Sequence, residues 1–197
     1  MIMHGPSVSL VPLDRRHLEA TRRWANDWEI AELMDRATPV SDAAHEHWFA
    51  TLHGKTDRVY FAIEIQAEDD TPSHVGNVWL WDIDPRHRKC EVRIVVGHDS
   101  VRSQGLGTQA LSLISKYAFE RLNLHKVFAL VLASNARAVR AFENAGFQQE
   151  GLLKNDRWSG ERYVDVTMLG LLREARVNNV PSAHVRRQLH DTASHHA

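Results

Sequence analysis

One cysteine, Cys90, stands in 197 residues, so no disulfide can close within the chain, and the composition suits a reducing compartment. An excess of either charge is missing too, with 24 Lys and Arg against 25 Asp and Glu. No global field then attracts a polyanion, which argues against nucleic acid as the primary partner and leaves only local patches to hold phosphates. No segment approaches the length of a membrane span, and Met1 to Pro6 has neither the basic stretch nor the apolar core of a secretory signal. The expectation is a cytoplasmic protein that makes no membrane contact. Internal repeats and low-complexity tracts are absent. Cys90 itself opens the apolar run to Val96, where a lone thiol packs as a small hydrophobe rather than acting as a nucleophile.

What is present is a globular balance, 43% hydrophobic and 25% charged residues, in a length suited to one domain with a real core. Ser7 to Leu13 is a short apolar-rich strand, and Asp14 caps a helix through Ala25. A second helix spans Trp28 to Met34. Ser41 caps a third over Asp42 to Leu52, where Ala44, Trp48, Phe49 and Leu52 give an apolar face beneath a histidine-rich polar one. The period then changes to two. Val59 to Ile65, Val75 to Ile83 and Cys90 to Val96 read as three neighbouring antiparallel strands joined by turn-rich linkers. Gly105 to Leu122 is a long amphipathic helix, Lys126 to Leu132 a strand, and Ser134 or Asn135 caps a helix that Gly146 terminates in a left-handed turn. Gln148 to Lys154 and Tyr163 to Leu172 close the pattern as strands. The order is mixed α/β (α+β), with one crossover helix between strands that should be parallel neighbours. One domain covers residues 7–172, and 173–197 is a polar C-terminal appendage.

The most informative stretch is Arg102-Ser103-Gln104-Gly105-Leu106-Gly107-Thr108, a glycine-containing loop running straight into the long helix. Glycines let backbone approach an anion, and the N–H groups and dipole at a helix start favour a diphosphate; an ordinary turn with two glycines is the other reading. Gly105, Gly107 and Ala110 also fit the dinucleotide pattern G-x-G-x-x-A, but seven residues, His98 to Gln104, separate Gly97 from Gly105, and the next strand ends Leu132-Ala133-Ser134 without the acidic residue that would hold a ribose.

On Arg102, Gly105 and Gly107, on the Asn135-led helix ending in Gly146-Phe147, and on the order of elements, the chain resembles the GCN5-related N-acetyltransferases (GNAT). Within them it is similar to the branch of ribosomal-protein, spermidine and nucleotide-sugar acetyltransferases, through Trp24-Ala25-Asn26-Asp27, the Ser41 to Leu52 helix, Asn123-Leu124-His125-Lys126 and Glu150-Gly151. The resemblance implies a single fold with a twisted mixed sheet of about seven strands, helices on both faces, and a central parallel pair splayed at an acetyl-CoA site. Val95, Val96 and Gly97 would lend main-chain groups to the pantetheine and polarise the thioester. Arg102, Ser103, Gln104, Gly105, Leu106, Gly107 and Thr108 would hold the pyrophosphate. Asn135 would contact the pantetheine, and Arg137 or Arg140 the 3′-phosphate, solvated helix charges being the alternative for those two.

The implied reaction is direct attack by a primary amine on acetyl-CoA, the amine losing a proton on the way. Glu91 is the candidate base, on the side of the strand that also carries Arg93 and Val95; an ion pair with Arg93 is the competing reading, and Asp82, Asp84 and Glu46 are reserves. One departure stands out. Where many relatives carry a Tyr that protonates the CoA thiolate, this chain has Phe142, and the Ser of others is Ala138. The acceptor is expected to be a small amine (polyamine, amino sugar or antibiotic), with a protein N-terminus second and a catalytically weak acetyl-CoA-binding module third. A homo-oligomer is left open. Thirteen histidines invite a metal reading at His45, His47 and His53, but a His-x-His pair on a helix points apart and no Cys or carboxylate set accompanies it, so no metal is expected.

Overall fold

The computed structural model describes residues 1–52, 54–67, 71–97 and 105–173. Strands β1 (Met3–His4), β2 (Ser9–Pro12), β3 (Val59–Gln66), β4 (Pro72–Asp84), β5 (Lys89–Val96), β6 (Lys126–Leu132), β7 (Gln148–Trp158) and β8 (Tyr163–Leu172) form one sheet in the order β1-β2-β3-β4-β5-β6-β8-β7. Every pairing is antiparallel except β5 with β6. The sheet thus has eight strands rather than about seven. The extra one, β1, is two residues long, too short to carry an alternation that sequence can reveal.

Alternation sorts the central strands onto two faces. Phe61, Ile63, Val78, Leu80, Cys90 and Val92 are buried beneath α4 (Leu106–Glu120), whose Leu111, Ile114 and Ala118 complete that core with α5 (Ala136–Asn144) alongside. Tyr60, Glu64, Asn77, Trp79, Glu91 and Arg93 occupy the other face, under α1 (Leu18–Ala25), α2 (Trp28–Leu33) and α3 (Asp42–Thr51). Ser41 and Asn135, caps named from the sequence, each accept the backbone N–H three residues on, as does Asp27 ahead of α2, and Gly146 is left-handed at φ 95.

A buried polar network fastens α1 to its face. The Asp14 N–H donates to His17 Nδ1 at 2.9 Å, so the ring proton lies on Nε2, which donates to Glu64 Oε1 at 3.0 Å; Arg16 binds the same oxygen at 2.9 Å. Asn77 donates to Thr21 Oγ1 at 2.9 Å and accepts from His74.

Three expectations change. On α3 it is His45 that is buried beside Phe49 while Ala44 is exposed, because the His45 ring stacks on Trp48 at 5.0 Å and turns the helix a step from its purely apolar phase. Strand β7 runs to Trp158 rather than Lys154: as the sheet edge it accommodates Asn155, Asp156 and Arg157, with a register shift between Leu153 and Arg157. Gly105 lies outside α4 as its N-cap rather than in its first turn. Residues 174–197, most of the expected appendage, lie outside the described residues.

Candidate active site

Strands β5 and β6 pair only at Lys89↔Lys126, Cys90↔Val127 and Glu91↔Phe128. Beyond Glu91 they part, β5 following β4 to Val96 and β6 following β8 to Leu132. A cavity of about 510 Å³ opens in the gap. It is reached from both faces of the sheet. On one side stand Gly105, Leu106, Gly107 and Thr108 at the start of α4 and Asn135, Arg137, Arg140 and Phe142 around α5; on the other stand Glu91, Arg93, Val95 and a wall from α2.

The start of α4 is bare backbone. Gly105 is the N-cap at φ 75 with no side-chain cap, and among the described residues the first helical bond is the Gln109 N–H to Gly105 O at 3.1 Å, so the amides of Leu106, Gly107 and Thr108 lie in the opening turn. A Cβ on Gly105 would meet nothing within 4 Å, and one on Gly107 only Val96 and Ile94 at 3.9 and 4.0 Å. Among the described residues nothing obstructs an anion's approach to that end of the dipole, and a diphosphate fits. Arg102, Ser103 and Gln104 of the same loop lie outside the described residues.

Of the three main-chain candidates on β5, Val95 and Val96 line the cavity and Gly97 does not. The Gly97 N–H donates to Val75 O at 2.9 Å, towards β4, and by alternation the Val95 amide faces β4 as well, turning the Ile94 and Val96 peptide groups towards the gap. Gly97 matters in another way. The Trp24 indole lies on it so closely that a Cβ there would fall 1.9 Å from Cε2. Gly97 is thus a packing contact beneath the Trp24 indole.

Glu91 lines the cavity while buried, and Arg93 clasps both its oxygens, at 2.7 and 3.1 Å. The ion pair weighed against the base role is therefore present. Asn135 also lines the cavity, its side-chain oxygen capping α5 through the Ala138 N–H at 3.0 Å. Arg137 faces Glu29 at 4.0 Å, both exposed. The Phe142 ring is buried edge-on against Phe147 at 5.1 Å, and no hydroxyl stands at that place. Two of the reserve carboxylates are occupied elsewhere: Glu46 with Arg15 at 3.1 Å, and Asp84 with the backbone and ring of His87, which hold its carboxyl down to about 2. Burial pushes the Cys90 thiol up to about 12, leaving it a core group. His45 is buried and His47 exposed, so the pair points apart; His53 lies outside the described residues, and among the described residues no three potential ligands gather for a metal.

Sequence reasoning missed the apolar wall of Ile30, Leu33 and Met34, together with Arg157 of β7. Of the acidic residues on the early helices, Asp35 alone lines the cavity, since Asp42 is bound to Arg22 at 2.6 Å and Glu46 to Arg15.

Comparison with known proteins places this geometry. Residues 7–148 match the family model described as Acetyltransferase (GNAT) domain. The chain is 28% identical over 162 residues to spermidine N(1)-acetyltransferase of Escherichia coli K12, covering 80% of this chain and 81% of that one. It is 29% identical over 154 residues to the mouse alpha/beta-tubulin-N-acetyltransferase 9, covering 74% and 63%. The crystal structure of spermidine N-acetyltransferase from Vibrio cholerae in complex with CoA and spermine superposes with a TM-score of 0.81 at 25% identity, over 88% of this chain and 100% of that one.

Proposed function

This chain belongs to the acetyltransferase (GNAT) family, and from that premise we propose that its acceptor is a primary amine of a small aliphatic polyamine. It is an acetyl-CoA-dependent N-acetyltransferase. The observation that carries the reading is the gap beyond Glu91 and Phe128, open to both faces of the sheet. An acyl donor held at the start of α4 and an amine arriving past α2 meet there without a covalent relay on the protein. Cys90, the one thiol, is sealed in the core, so direct attack is the economical chemistry.

The Gly105 to Thr108 backbone takes the diphosphate, the Ile94 and Val96 peptides direct the pantetheine and the thioester carbonyl, and Arg137 or Arg140 meets the 3′-phosphate. Glu91 serves as general base. Each carboxylate oxygen has two lone pairs, and the Arg93 clasp uses one on each, leaving acceptor capacity for the amine proton or a relaying water. The amine nitrogen bonds the acyl carbon as the carbon–sulfur bond breaks, and with Phe142 in place of a phenol the sulfur departs without a side-chain acid from that position. The donor and the reduced Cys90 both suit a cytoplasmic setting.

The test is free-thiol release from acetyl-CoA across spermidine, spermine, amino sugars and short peptides. Turnover concentrated on polyamines is expected. Turnover on a peptide N-terminus alone would replace the acceptor with a protein.

A further inference from the structure

Among the described residues two carboxylates line the cavity, and each faces an arginine, but the two pairs differ in kind. Glu91 is enclosed, with two short charge-assisted bonds to Arg93 at 2.7 and 3.1 Å, so its partner is permanent. Asp35 meets Arg157 Nε once, at 3.4 Å, with 56% of its own side chain and 34% of the arginine exposed. The same Nε lies 3.4 Å from Asp156, so Arg157 has a second carboxylate to fall back on. An exposed, single-contact pair is weak and exchanges readily.

The backbone at Asp35 points the same way. It sits just past α2 at φ 53, in a left-handed turn closed by the Asp35 N–H to Glu32 O at 3.1 Å and the Arg36 N–H to Ala31 O at 2.8 Å. Glycine is the unstrained choice at this place in a helix terminator, and a carboxylate is kept there at the rim of the cavity instead. Beside Asp35 in the lining, Ile30, Leu33 and Met34 supply an apolar wall. A carboxylate beside an apolar wall, in the same cavity as the gap beyond Glu91, fits an aliphatic chain that carries a second cationic nitrogen.

We propose that Asp35 is a specificity-determining residue that receives the distal ammonium of a di- or polyamine acceptor, Arg157 moving from Asp35 to Asp156 as the substrate enters. This rests on the amine-acceptor reading above. The test compares spermidine with n-butylamine, which lacks a second nitrogen. Asp35→Asn is isosteric, and Asn tolerates the left-handed turn, so the variant folds. It is expected to raise the KM for spermidine about tenfold or more with kcat nearly unchanged, and to leave n-butylamine unaffected. Asp35→Glu restores part of the loss, and Arg157→Gln does not raise the spermidine KM. An equal effect of Asp35→Asn on both amines, or none on either, overturns the inference. If the wild-type protein acetylates neither amine, the proposed function fails, and calorimetry of spermidine with the CoA complex still decides Asp35: a tenfold weaker affinity in Asp35→Asn supports its role, and equal affinity overturns it.

Discussion

Replacing Gly97 by alanine is a demanding test of how the end of β5 is held. The added Cβ would fall 1.9 Å from Trp24 Cε2, 2.0 Å from Nε1 and 2.4 Å from Cζ2, all ring atoms of a side chain only 4% exposed. The indole must retreat by about 1.5 Å to reach ordinary contact, and a close-packed interior gives little room for that. Behind it stands the His74 ring at 4.8 Å, itself held by Asn77 at 3.0 Å and packed on His17 at 4.7 Å. Overpacking of this kind costs about 1–3 kcal/mol, and with a rigid ring and a polar network behind it we expect about 3 kcal/mol. Gly105→Ala meets no atom within 4 Å but carries the left-handed penalty of about 1–2 kcal/mol at φ 75. Gly107→Ala, with neither burden, is neutral or stabilising by up to about 1 kcal/mol as a helix substitution. Urea denaturation at matched slope ranks the three, and Trp24→Leu combined with Gly97→Ala recovers part of the loss through their contact. A Gly97→Ala protein within about 0.5 kcal/mol of wild type, or strict additivity with Trp24→Leu, would refute the packing argument.

Gly107→Glu places a carboxylate at the start of α4 and should weaken CoA binding strongly in a folded protein; unchanged calorimetric affinity would move the diphosphate elsewhere. Glu91→Gln should lower turnover by about 10² to 10⁴, and wild-type turnover with the same acidic limb of the pH profile would assign deprotonation to water alone. Phe142→Tyr should raise kcat at most about tenfold, roughly 1.4 kcal/mol, since a thiolate leaves readily; a larger gain would make sulfur departure the dominant barrier. Burial holds the pKa values of His74 and His45 below the ordinary histidine value of 6.5, so the unfolded chain binds protons the folded one does not, and stability present above that value is lost as pH falls below it. His45→Phe, which keeps a ring on Trp48, should flatten that acid-side loss in denaturation midpoints, and an identical slope would remove His45 from the account.

Local chemistry was legible in the sequence where one residue type has one job. Asn135 caps α5, Gly146 ends it, and the β5–α4–β6 order dictates a parallel pair, because a crossover helix must return the chain in the same direction. The glycine-led start of α4 was legible for the same reason. What the sequence hid depends on meetings across the chain. Asp35 and Arg157 are separated by most of the domain, and the turn that presents Asp35 is usually signalled by glycine. Glu64, polar in an apolar strand, is buried against His17, whose tautomer is set by a backbone amide. The family resemblance gave Gly97 a main-chain role beside Val95 and Val96, whereas its need to be glycine comes from the Trp24 indole of α1. Ala44 and His45 exchanged roles because aromatic stacking outweighs polarity at a single helix position.

The most direct test of the central claim is mass spectrometry of spermidine incubated with acetyl-CoA and the purified full chain, read beside the free thiol released. The account predicts one acetyl group on spermidine for each CoA formed, dependent on the protein. Intact acetyl-CoA and unmodified spermidine, with CoA binding demonstrated in the same sample, would contradict it.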